Sequence, residues 1–147
     1  MFEGGCECGR IRFRIEGEPI SVHCCHCRQC QKITGSAFAL NAMIEAERVE
    51  VVAGAEALEG KRGRCPDCQA LLWGTHRFFG ESILFLRVGT LDEGEKLAPN
   101  AHFFTRSKHS WVSVPEGVRA FETLPGESDP PLFGPEQSAR VEAARRG

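Results

Sequence analysis

Residues 24–30 read Cys24-Cys25-His26-Cys27-Arg28-Gln29-Cys30, and no other stretch of the chain constrains it as strongly. Cys27 and Cys30 form a C-x-x-C turn, a spacing that aims two sulfurs at one ion. If the preceding segment is extended, Cys25 shares a face with Cys27, because alternate residues of a strand point the same way. Six consecutive residues then offer three thiolates. Three protein ligands with one position left open is the pattern of a catalytic zinc, whereas a structural zinc takes four ligands in a closed tetrahedron. The closed alternative would recruit Cys24, His23 or His26. His23 comes first among these, since positions 23, 25 and 27 fall on one strand face. Ligand count favours the open site, with Cys25, Cys27 and Cys30 as its working residues.

Two further pairs lie outside this cluster: Cys6-Glu7-Cys8 and Cys65-Pro66-Asp67-Cys68. Pro66 supports the second turn, and Gly5 and Gly9 permit sharp bends around the first. Two groupings are compatible with the spacing. One holds Cys6, Cys8, Cys65 and Cys68 around one ion and Cys25, Cys27 and Cys30 around another. The other joins Cys27, Cys30, Cys65 and Cys68 as a zinc ribbon and leaves Cys6 and Cys8 free. The stretch between Cys30 and Cys65 exceeds the ~15–20 residues of a simple ribbon, which weighs against the second.

The chain has 147 residues, eight of them cysteine, with 18 basic and 20 acidic residues and a formal net charge of −2. That length fits one domain. The balanced charge argues against a nucleic-acid or membrane-surface protein, whose footprint is a basic excess. The start, Met1-Phe2-Glu3-Gly4-Gly5-Cys6, has neither the basic nor the apolar region of a secretory signal, and nothing approaches the ~20 apolar residues of a membrane span. A cytoplasmic location is expected, where thiols stay reduced. Clustered thiols there point to metal rather than disulfides.

The remaining pattern is that of many short strands. From Gly9 to Gly17, Ile11, Phe13 and Ile15 alternate with Arg10, Arg12 and Arg14, a half-buried strand. Ile20–Cys25, Ser36–Ile44, Arg48–Ala53, Leu71–Thr75, Ser82–Val88, His102–Thr105 and Trp111–Val114 also read as strands. Arg28–Thr34 reads as a helical turn stopped by Gly35, and Gly54, Gly60 and Gly63 punctuate the middle of the chain. The expected fold is mostly β over residues 1–123. Residues 124–147 form a Pro/Gly-rich tail, with a short helix expected over Pro135–Arg146 and only Val141 to dock it.

These motifs together resemble the glutathione-dependent formaldehyde-activating enzyme family, which includes the centromere protein V domain. The resemblance runs from about Gly5 to Phe121. It is carried by Gly5-Cys6-Glu7-Cys8-Gly9, by Cys25-His26-Cys27-Arg28-Gln29-Cys30 with Gly35-Ser36-Ala37-Phe38, and by Cys65-Pro66-Asp67-Cys68. Gly89-Thr90-Leu91-Asp92, Pro99-Asn100-Ala101-His102 and Trp111 complete it. It implies several short antiparallel coiled sheets of Mss4-like type. It implies two zinc ions per chain, one structural at Cys6, Cys8, Cys65 and Cys68 and one with an open position at Cys25, Cys27 and Cys30. It implies carbon–sulfur lyase-type chemistry on a small aldehyde such as formaldehyde and a thiol such as glutathione. Where the family usually places Gly after its third motif, this chain has Gln69.

Three thiolates on a divalent ion leave an excess negative charge, and Arg28 and Lys32 are the nearest cations in sequence to offset it. His102 is a candidate proton carrier, or else a packed structural histidine. Two rivals differ in class from the enzyme. A zinc-binding adaptor would close both sites and present Trp73 or Trp111 to a partner. A redox protein would use Cys24 and Cys25 or a freed Cys6/Cys8 pair.

Overall fold

Ile11, Phe13 and Ile15 are fully buried and the arginines between them are not, as the alternation demands. The structure is a computed structural model and describes residues 1–58 and 62–146; Gly60, read above as a turn, lies outside the described residues. The strands in chain order are β1 (Phe2–Gly5), β2 (Arg12–Ile15), β3 (Ser21–Cys25), β4 (Ala39–Glu45), β5 (Val49–Ala53), β6 (Gly63–Arg64), β7 (Leu71–His76), β8 (Gly80–Arg87), β9 (Ala101–Phe103) and β10 (Arg119–Ala120). Helix α1 (Arg28–Thr34) follows β3, and α2 (Pro135–Arg146) ends the chain.

The strands form a three-stranded sheet, β1-β2-β5, and a seven-stranded sheet, β10-β9-β3-β4-β8-β7-β6. Pairing is antiparallel except along β3–β9 and β9–β10, which are parallel. At the centre of the large sheet β3, β4 and β8 lie side by side, with His23 opposite Asn41 and Asn41 opposite Arg87. The core between the sheets gathers Ile11, Phe13, Ile15, Ile44, Leu72, Trp73, Leu86 and Val88. Each such large side chain contributes ~1.5–3 kcal/mol on burial. Trp73 stands edge-on to Phe13 at 5.5 Å. Gly63 lies flat against the same indole, where a Cβ would come within 2.3 Å of the ring. This close approach fixes β6, and with it Cys65, against the core.

Helix α1 begins at Cys27 and stops at Gly35, whose φ of 62° is left-handed, as the sequence indicates. The strand expected over Trp111–Val114 is absent: Trp111 is 72% exposed and only Val112 turns inward. The strand expected over His102–Thr105 ends at Phe103 because Phe104 adopts a left-handed φ of 57°. The tail helix is held more firmly than its single apolar residue suggests. Val141 packs with Ile20, Met43 and Ile83, and Arg140 clasps both oxygens of the buried Glu45 at 2.7 Å. Among the described residues no helix is long and apolar enough to cross a membrane.

Candidate metal centres

Two similar turns bring four cysteines together. In the first, the Cys6 N–H donates to the carbonyl of Ile11 and the Gly9 N–H to that of Cys6, both at 3.0 Å. In the second, the Cys65 N–H donates to Ala70 and the Gln69 N–H to Cys65, again at 3.0 Å. Gly9 and Gln69 fill matching left-handed positions, with φ of 79° and 63°. The Sγ atoms of Cys6, Cys8, Cys65 and Cys68 all lie within 4.8 Å of one another. Cys6 to Cys8 measures 3.5 Å and Cys8 to Cys65 3.7 Å. A tetrahedral zinc with ~2.3 Å bonds to sulfur requires an edge of about 3.8 Å, so this donor set fits the ion. Backbone N–H groups are aimed at the sulfurs, Ile11 reaching Cys6 at 3.2 Å. The N–H groups of Ala70 and Cys8 bring the Cys68 thiol down to about 6. Arg10 braces the two turns through both oxygens of Asp67 at 2.8 Å. The zinc-ribbon alternative, Cys27 and Cys30 with Cys65 and Cys68, is not formed.

The second cluster sits where β3 runs into α1. Cys25 ends the strand, Cys27 is the N-cap, and the Cys30 N–H in the first turn donates to the Cys27 sulfur at 3.3 Å. The three Sγ atoms lie within 4.8 Å of one another. Cys25 is buried, while Cys27 and Cys30 are partly open to solvent. Hydrogen bonding from Cys25, and then from Cys27, brings Cys30 down to about 6 with help from the Arg87 guanidinium, while the bond to Cys30 and burial push Cys25 up. Such a donor set suits a soft divalent ion as three thiolates.

The three residues proposed to close this site do not join the thiol cluster. Cys24 faces away from the cluster, and burial raises its thiol to about 11. His23 packs 4.8 Å from Phe103 and receives the Asn41 side-chain amide at 3.4 Å. His26, fully buried, pairs its Nε2 with Nδ1 of His102 at 2.8 Å and stacks on that ring. Gln31 ties the segment down, its amide donating to the carbonyls of His26 at 2.8 Å and Ser107 at 2.9 Å. Among the described residues no imidazole or carboxylate joins the three thiols.

Two nearby candidates change roles. Arg28 points its guanidinium at the Gln31 side chain, and Lys32 lies exposed in the last turn of α1. Arg87, at the end of β8, donates through Nη1 to the Asn41 carbonyl oxygen. Nothing local in the sequence marks Arg87 and Asn41 as partners, because strand register alone brings them together. Trp73 belongs to the core, leaving Trp111 as the exposed indole.

Comparison with known proteins agrees with this arrangement. A Halomonas elongata protein named "Putative glutathione-dependent formaldehyde-activating enzyme" is 27% identical over 144 residues, spanning 87% of this chain and 91% of its own. A Rhodobacter sphaeroides protein of known crystal structure shares the fold at a TM-score of 0.50 and 22% identity, covering 62% of this chain and 88% of that one. The family model described as glutathione-dependent formaldehyde-activating enzyme matches residues 1–107, a stretch that holds both thiol clusters. A mostly β chain whose sheets frame those two clusters has the Mss4-like architecture that the motifs imply, and it belongs to the glutathione-dependent formaldehyde-activating enzyme family.

Proposed function

We propose that this chain is a cytoplasmic zinc-dependent carbon–sulfur lyase that joins an aldehyde such as formaldehyde to a thiol such as glutathione, or cleaves the adduct. Cys25, Cys27 and Cys30 hold the reactive zinc, and Cys6, Cys8, Cys65 and Cys68 hold a structural one. The observation that carries this reading is the three-thiol cluster, which none of the would-be fourth ligands, His23, Cys24 or His26, joins. A divalent zinc there favours a substrate thiol as its thiolate near neutral pH.

The chain's own residues fix where this happens. The N-cap geometry of α1 holds Cys27 and Cys30 toward solvent, and Cys25 anchors the site to the sheet. The bond between His26 and His102 and the two bonds from Gln31 keep the loop rigid, so holding the thiol beside the carbonyl carbon removes orientational cost. In the joining direction a carbon–sulfur bond forms, the carbonyl π bond breaks, and the thiol proton ends on the new hydroxyl oxygen. No oxidant is needed. His102 is buried and bonded to His26, which supports reading it as part of this scaffold rather than as a proton carrier.

Cobalt-substituted protein tests the reading. Titrated glutathione should raise the thiolate-to-cobalt charge-transfer band to saturation. Cys25→Ser, Cys27→Ser or Cys30→Ser should abolish the response, and Cys24→Ser should leave it. The wild type should also speed formaldehyde–glutathione exchange above the uncatalysed rate. Absence of any spectral response to small thiols, with a fourth protein ligand on the metal, would replace the enzyme with the adaptor reading.

A further inference from the structure

Two stretches of the chain frame the three-thiol site. Residues 19–44 carry the thiols themselves, and residues 97–115 are brought alongside by the pairing of β9 with β3, Phe103 opposite Cys25. Together they contain Arg28, Lys32, Arg106 and Lys108 and no Asp or Glu, although acidic residues outnumber basic ones in the chain as a whole. No ion pair among the described residues reaches any of these cations. Arginines elsewhere are matched, Arg10 with Asp67, Arg14 with Glu50 and Arg140 with Glu45.

Gln31 sets two donors of these stretches side by side. It follows Cys30 directly, and it is 6% exposed. Both N–H groups of its amide are spent, on the carbonyls of His26 at 2.8 Å and Ser107 at 2.9 Å. That fixes which way the amide points, so its oxygen is the acceptor for Arg28 Nη1 and for His109 Nε2 at 3.1 Å. Lys108 curls back to donate to the carbonyls of His109 and Val112, which holds the loop that carries His109. Arg28 is joined directly to the ligand Cys27 and is exposed. Its guanidinium has more N–H donors than Gln31 uses, and no carboxylate of the described residues takes the others. The planar fork of an arginine suits a carboxylate, and a second donor beside it adds direction.

We propose that Arg28 and His109, held together by Gln31, recognise a carboxylate of the thiol substrate whose sulfur enters the three-thiol site. The surrounding cations draw such an anion in, and a neutral thiol gains nothing from them. The inference rests on the reading of the site as one that takes a thiol, and adds the class of thiol it selects.

Three thiols titrated into the cobalt-substituted protein test it. Glutathione carries free carboxylates, its diethyl ester has them blocked, and 2-mercaptoethanol has none. Wild type should bind glutathione roughly 10-fold more tightly than the diester, the worth of one charge-assisted contact at a partly exposed site. That preference should shrink as salt is raised. Arg28→Met should remove it by weakening glutathione alone, and Arg28→Lys should keep part of it, since the charge stays and the fork is lost. His109→Phe should give a smaller loss in the same direction. Binding of 2-mercaptoethanol should be alike in wild type and Arg28→Met, which shows the metal site intact. Equal binding of glutathione and its diester by wild type, or a preference that survives Arg28→Met, would overturn the recognition role and leave the thiol site standing. Loss of 2-mercaptoethanol binding in Arg28→Met would overturn it too, by making Arg28 a support of the metal. Failure of all three thiols to move the band in wild type would overturn the thiol site itself.

Discussion

Gln69 holds a left-handed backbone in the turn beside the four-thiol cluster, at φ 63°. A residue with a Cβ pays ~1–2 kcal/mol there, which glycine does not. The turn offsets part of this, since the Gln69 side chain donates to the Pro66 carbonyl at 2.6 Å and its own carbonyl accepts from Arg64 at 2.7 Å. Glycine also gives back ~0.4–1 kcal/mol through the freer unfolded chain. Gln69→Gly should therefore leave thermal stability equal or slightly raised, while Gln69→Val, branched at Cβ, should lower it by about 1–2 kcal/mol. Thermal melts of zinc-loaded protein decide this, and a melt in which Val outlasts Gly would contradict it. What the sequence discloses at this scale follows a simple division. Cysteines two or three positions apart reveal their grouping, because local geometry alone brings them together. Arg87 meets Asn41 only through the register of β4 and β8, so no local pattern exposes that pair, whereas Arg28 stands nearer the cluster in sequence and points its guanidinium at Gln31.

At the scale of elements, the strand pattern is legible where one face is buried, as in β2, and fades where an element is very short. β1 ends in two glycines and β6 and β10 are two residues each, so they carry little alternation to read. α2 was underestimated for another reason: its anchor is an ion pair rather than an apolar stripe. Burial alone would push Glu45 up, but the hydrogen bonds from Arg140 outweigh it and hold the carboxyl below its ordinary 4.5. Removing Arg140 leaves a buried carboxylate with, among the described residues, Arg48 as its remaining cation at 3.5 Å. Arg140→Met should cost about 3 kcal/mol near neutral pH, in the range for breaking a buried pair. The sign with pH follows from the depressed value. A carboxyl that ionises more readily folded than unfolded stabilises above its unfolded value, and that stability is lost as pH falls through the folded one. The gap in melting temperature between wild type and Arg140→Met should thus narrow as pH drops below 4.5. A gap that stays constant through that range would mean that α2 docks through Val141 and its neighbours alone.

For the whole molecule, the four-thiol cluster is the join between distant parts of the chain. Cys6 and Cys8 sit on the turn between β1 and β2 of the small sheet, and Cys65 and Cys68 on the turn between β6 and β7 at the edge of the large one. One ion there would clamp the two sheets across the core that Phe13 and Trp73 share. Structural zinc supplies folding free energy directly, ~10–16 kcal/mol in finger peptides. The three-thiol cluster spans only the junction of β3 and α1, which the hydrogen bonds of His26 and Gln31 already hold. The two sites should therefore part in their effects. Protein produced with zinc should carry close to two ions per chain by elemental analysis. Cys65→Ser should retain about one, melt far below wild type and lose solubility, because Cys65 is fully buried and an ion there would close the long loop from Cys8 to Cys65. Cys27→Ser should also retain about one ion and yet melt near the wild-type temperature. A strong chelator should show the same order on intact protein, drawing the three-thiol ion, held by one fewer protein ligand, first with little change in melting and the four-thiol ion only as the chain unfolds. Equal melting temperatures for wild type and Cys65→Ser would show that the core holds the two sheets together without the clamp.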